Sequence, residues 1–165
     1  MEQLSLSAAI VKSLKSGEMC LELESALLVQ DRSKARRKDE TEYWDYKEEL
    51  NIENPEELTK LIKYVLAFHN SQGGVLFVGI SKDYKAVGVP RRQICDTNQL
   101  SQKLRSYIGT NVKLFQDQVE TSNKERPIWV ILIPKRDDAP QELLKASPHN
   151  NQTCLLYTSP SPRDS

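Results

Sequence analysis

Apolar positions recur along this chain in two rhythms, and the switches between them mark out its elements. Leu58, Leu61, Ile62, Val65 and Phe68 follow one another at steps of three and four, which predicts an amphipathic helix. Its punctuation is clear. Asn54 suits the N-cap, Pro55 the first helical position, Glu57 can close a capping box, and Gly73-Gly74 ends the segment. "VLFVGIS" (75–81) follows as an unbroken apolar run, predicting a strand buried on both faces. "PIWVILIP" (127–134) reads the same way and is stopped by Pro134. "NVKLFQDQVET" (111–121) alternates like a half-exposed strand, and "SNKER" (122–126) is a turn. Residues 96–108 predict a second helix with Asp96 or Thr97 as its cap. "KDYK" (82–85) turns the chain, and "AVGV" (86–89) is expected to return as a partner strand.

Before this region, Tyr43, Trp44 and Tyr46 favour a further strand. Residues 1–30 hold two short apolar elements broken at Ser16-Gly17, and "DRSKARRKDE" (31–40) is polar and basic, as in a linker or solvated arm. The order strand–helix–strand–strand–helix–strand–strand predicts an α/β (α+β) fold, a mixed β-sheet with two main helices packed on it. We therefore divide the chain into an N-terminal extension or linker (1–39), a folded domain (40–146) and a disordered tail (147–165). Within that tail "TSPSPRDS" has the look of translated cloning or out-of-frame sequence.

Composition narrows the function classes. The 165 residues carry 23 Lys+Arg against 23 Asp+Glu, so no global field attracts nucleic acid, and such binding has to come from local patches. Candidate patches are "KARRK" (34–38), Arg91-Arg92, Lys103 with Arg105, and Lys135-Arg136; the plain alternative for each is solubility. Cys20, Cys95 and Cys154 are scattered, with no CxxC or Cys/His cluster, so no zinc site is expected. No apolar run is long enough for a signal-peptide core or a membrane span. These features predict an intracellular protein, cytoplasmic or nuclear, with no membrane partner. Trp44, Tyr46 and Trp129 are expected in the core rather than as base-stacking platforms, and His69 as a packed or surface helix residue.

"ETEYWDYKEEL" (40–50) puts five carboxylates into a strand-prone segment, where one face normally goes to the core. Solvation on an edge strand is the plain reading, and it is the one kept for Glu42, Glu48 and Glu49.

Several motifs, in order, are similar to those of the Schlafen AlbA-type domain. Glu40 to Lys47 resembles that family's E-x-x-x-x-E-F-K strand, with Asp45 where the family has Glu. "AFHNSQGG" (67–74) followed by "VLFVGIS" resembles its A-F-x-N-x-x-G-G-x-[LI]-x-x-G-[IV], and "KDYKAVGV" (82–89) its acidic turn and V-G strand. The resemblance implies a divalent-metal-dependent endoribonuclease acting on structured RNA such as tRNA. It implies Mg²⁺ or Mn²⁺ on Glu40, Asp45 and Asp83, with Lys47 at the phosphate. The residue types suit that chemistry. A phosphodiester is anionic, and a cation on hard oxygen ligands reverses the repulsion and acidifies a bound water. Glu40 and Asp45 are an odd interval apart, so a regular strand would point them to opposite faces. A bulge, or Glu40 in the entry loop, is required for convergence. Arg91, Arg92, Lys103 and Arg105 are the expected nucleic-acid contacts. The alternatives are a non-catalytic nucleic-acid- or ATP-binding module, with Asn70, Gly73 and Gly74 at phosphate, and a protein-interaction subunit. The vertebrate family pairs two related lobes; here a homo- or hetero-dimer would supply the second.

Overall fold

Strands β2 (Gly74–Val78) and β4 (Ile128–Ile133) are buried along their whole length and run side by side at the centre of a four-stranded sheet. They are the two unbroken apolar runs of the sequence. The computed structural model describes residues 6–28, 33–37, 43–108 and 113–135. Glu40, Glu42, Arg136, Cys154, the tail from 147 and part of the basic arm lie outside the described residues.

The edges are β1 (Trp44–Lys47) beside β2 and β3 (Phe115–Val119) beside β4, in the order β1-β2-β4-β3. β1 pairs parallel with β2; the other two pairings are antiparallel, so the sheet is mixed. Edge position explains why these two strands tolerate charge. Each has a neighbour on one side only, and polar side chains there also discourage edge-to-edge association.

Alternation along β2 and β4 divides the core in two. Leu76, Val78, Trp129, Ile131 and Ile133 pack with α3 (Pro55–His69) and α4 (Thr97–Ile108). These are the two helices the sequence predicts. Val75, Phe77, Val130 and Leu132 face the other way, onto α1 (Leu6–Ser16) and α2 (Leu21–Leu27). The two short N-terminal elements are thus helices that cover the second face of the sheet, with Leu6, Ile10, Leu23 and Leu27 fully buried. Trp44 and Trp129 lie in the core as expected.

The caps follow the sequence closely. The Asn54 side chain accepts from the N–H groups of Glu56 (2.9 Å) and Glu57 (3.3 Å). Glu57 does not complete a capping box; it accepts instead from the Asn51 N–H (3.3 Å), because a turn ahead of the helix already engages the Asn54 N–H. Asp96 caps α4 through the Gln99 N–H (2.8 Å).

One expected strand is absent. "AVGV" makes no ladder, only the single bridge Ile80–Ala86, with Lys85 bridged to Lys34. Gly79 and Gly88 both have positive φ, and their backbones meet so closely that a Cβ on Gly79 would lie 2.7 Å from the Gly88 Cα. That approach bends the segment out of extended geometry and delivers it to the β4 side, where the Val89 N–H donates to the Pro127 carbonyl (2.9 Å).

Candidate nucleic-acid interface

Side-chain alternation along the short edge strand β1 sorts its residues between the two faces. Its aromatic positions go one way. Trp44 and Tyr46 pack on the α1–α2 side, Trp44 against Phe77 with ring centroids 5.5 Å apart. Asp45 and Lys47 therefore point to the α3 side.

Asp45 is buried, at 8% exposure. It accepts the Tyr46 N–H (2.8 Å) and the hydroxyl of Tyr64 from α3. Burial, and then the negative charge of Asp45, push the Tyr64 phenol well above its ordinary range. Lys47 is half-buried and makes no ion pair among the described residues. Its ammonium is held below the usual lysine value, by burial first and by Lys60 second, against the opposing pull of Glu57, Asp45 and Glu56. A cation part-way out of water, short of a bonded counter-ion, is a place where an anionic ligand gains.

Asp83 is exposed on the turn Ser81–Lys85, which is closed by the bonds Tyr84 N–H to Ser81 O and Ser81 N–H to Lys85 O (both 2.9 Å). Tyr84 holds φ at 61°, a left-handed conformation unusual for a residue with a Cβ. Three contacts hold it there. Its ring lies 5.2 Å from that of Tyr46, the two hydroxyls are hydrogen-bonded, and the Arg37 guanidinium stands 5.9 Å from its centroid. The hydroxyl bond and burial push Tyr46 up to about 12. The turn bearing Asp83 thus packs through Tyr84 on the face opposite to Asp45. Among the described residues no three of His, Cys, Asp and Glu gather to hold a metal, and Glu40 lies outside them. A Mg²⁺ or Mn²⁺ site needs several converging oxygen ligands. The described donors do not supply such a set, so we derive no step through a metal.

The phosphate alternative at Asn70, Gly73 and Gly74 sits at the other end of the sheet, where Gly74 pairs with Ile133. Asn70 caps α3 and is buried. The Gly73 N–H donates to the Phe68 carbonyl (2.8 Å), and a Cβ on Gly74 would fall 2.0 Å from the Phe68 ring. Close packing accounts for both glycines. His69 beside them donates Nδ1–H to the Pro134 carbonyl (2.8 Å).

The four expected cationic contacts separate. Lys103 pairs with Glu53 (3.1 Å) and Arg105 is exposed further along α4. Arg91 and Arg92 form a 3₁₀ turn (Arg91–Gln93) and line a cleft of about 440 Å³ together with Pro90, Lys124, Glu125 and Arg126. Lys124 and Arg126, in the turn predicted at 122–126, were not among the expected contacts. Local sequence carries no signal for them, since only the β3–β4 pairing brings that turn to Arg91.

The register places these groups relative to one another. Lys47 pairs with Val78, Val78 with Trp129, and Trp129 with Gln118. The carboxyl ends of β1, β2 and β3 and the start of β4 therefore share one end of the sheet. Lys47, the Asp83 turn and the cationic cleft all belong to that end; Gly73 and Gly74 belong to the other. Ligands of open sheets that contain parallel strands favour the crevice beyond the carboxyl ends.

Comparison with known proteins agrees with this architecture. The family model described as Schlafen, AlbA_2 matches residues 40–156. No curated protein matches the chain. Among solved structures, the DIP2311 protein from Corynebacterium diphtheriae is similar at 20% identity and a TM-score of 0.51, covering 84% of this chain; the chain spans 23% of that protein's length. The N-terminal domain of a RecG-related protein from Nitrosomonas europaea aligns at 15% identity and a TM-score of 0.39, over 81% of this chain and 75% of that one. Among the described residues no helix is long and apolar enough to cross a membrane.

Proposed function

The chain belongs to the Schlafen AlbA_2 family, and from that premise we propose that it is an RNA-binding domain that engages the phosphodiester backbone at the carboxyl end of β1. The observation that carries this reading is Lys47: half-buried, held below its usual pKa, and without an ion pair among the described residues. A phosphate there restores the charge balance that burial has disturbed. The test is a filter-binding titration of the full chain with labelled tRNA over a range of salt. We expect affinity to fall as salt rises, and Lys47→Gln to weaken binding and flatten the salt slope by roughly 0.7–1. No binding at low salt, or a Lys47→Gln titration that overlays the wild type, would reject the reading.

A second reading adds cleavage. It is favoured by the buried carboxylate of Asp45 on the same face as Lys47. In this version Asp45 and Asp83, with Glu40 from outside the described residues, would have to be drawn together around Mg²⁺ or Mn²⁺, and Lys47 would contact the scissile phosphate. It predicts Mn²⁺-dependent breakage of labelled tRNA that is lost in Asp45→Asn and in Asp83→Ala. RNA that is bound but stays intact with Mn²⁺ leaves the binding reading and removes this one.

A further inference from the structure

We infer that the cleft between the Arg91–Gln93 turn and the β3–β4 hairpin is a second backbone-contact point for the same RNA, with Arg92 and Lys124 as the contacting cations. Four of its six lining residues are cationic and one is acidic. Those four divide by what their side chains already do. Arg91 donates to the Gln118 side chain (3.0 Å), to Glu120 (3.2 Å) and to the Lys124 carbonyl (2.8 Å). Arg126 donates to the carbonyls of Val87 and Gly88 (both 3.2 Å). Both guanidinium groups are struts that tie the hairpin to the 86–92 segment. Buried Thr121 braces the hairpin from inside, donating to the Arg126 carbonyl (2.8 Å). Arg92 and Lys124 are exposed, and neither side chain makes a hydrogen bond or ion pair among the described residues.

The result is two uncommitted cations on a braced frame, and a frame ordered in advance lowers the entropic cost of binding. The ligand class follows from charge and placement. The cleft sits at the same end of the sheet as Lys47, so a polyanion lying along that end meets Lys47 first and then Arg92 and Lys124. Phosphates repeated along a chain suit such a row of separated point charges.

This inference rests on the RNA reading above, and the experiment separates their failures. Full-length wild type, Lys47→Gln and the double variant Arg92→Glu/Lys124→Glu are titrated with labelled tRNA over a salt series, with circular dichroism to verify folding. The double variant should lose roughly tenfold in affinity at low salt and flatten the salt slope by about 1.5, for two lost phosphate contacts. If wild type binds and Lys47→Gln weakens it while the double variant matches wild type, the cleft inference falls and the RNA reading stands. If wild type does not bind, both fall. If polyglutamate binds the cleft in wild type, and the double variant loses that binding alone, the cleft belongs to an acidic protein and the inference is overturned. Should the double variant fail to fold, Arg92→Gln/Lys124→Gln carries the same comparison, with a smaller expected loss in the same direction.

Discussion

Lys47 carries the proposed site at the scale of a single residue, because the fold leaves its charge incompletely balanced. A lysine on an edge strand would ordinarily extend into water. This one lies half-buried over α3, and its pKa is lowered from 10.5 by burial and by Lys60. The sign of the linkage is fixed by that direction. The unfolded chain holds the proton more tightly than the fold does, so below the folded pKa this group subtracts from stability. The loss is recovered as pH rises from the folded pKa toward 10.5. Lys47→Met should therefore melt higher than wild type at neutral pH, and the gain should narrow as the pH approaches 10.5. Thermal melts across pH follow this directly. The same variant should bind RNA less well, the usual opposition between stability and function at a charged site. A variant that melts lower than wild type at neutral pH would mean that Lys47 is bonded in the fold and is not open to an anionic ligand.

Elements differ in how plainly the sequence announces them, and the reason is the range of the interactions that make them. Helix α3 is set by contacts within a few residues: Asn54 as cap, Pro55 at the first position, and a stripe from Leu58 to Phe68. All of these are visible in the sequence. β2 and β4 are equally plain, because strands buried on both faces need unbroken apolar runs. Segment 86–89 is different. Its path is decided by the packing of Gly88 on Gly79, and a Cβ on Gly88 would lie 1.8 Å from the Arg126 carbonyl. None of those partners is local, so β propensity alone points to a strand that does not form. The candidate site divides the same way. β1 alternation makes the shared face of Asp45 and Lys47 readable, and the motif similarity finds their positions. That Arg91 is a strut while Arg92 and Lys124 are open depends on Glu120, Gln118 and the Lys124 carbonyl, which only the folded hairpin brings to Arg91.

Across the whole molecule, the sheet has two apolar faces and so needs two covers. α3 and α4 supply one, and α1 and α2 supply the other, although they precede residue 40, where the folded domain expected from the sequence and the family match both begin. Phe77, Val75, Val130 and Leu132 are fully buried on that second face. Exposing a large apolar side chain of this kind forfeits about 1.5–3 kcal/mol. Several together approach the whole stability of a domain, which is about 5–15 kcal/mol. A chain that begins at residue 29 should therefore lose cooperative thermal unfolding, bind a hydrophobic dye and scatter light as an aggregate, whereas the full chain melts in one transition. A shortened chain that stays monomeric and melts sharply near the temperature of the full chain would show that the second face has another cover. The consequence reaches the proposed binding end as well. Val130 and Leu132 lie on β4, and β4 begins where the cationic hairpin ends. Loosening that face should therefore weaken the proposed RNA contacts of Arg92 and Lys124, which lie outside α1 and α2.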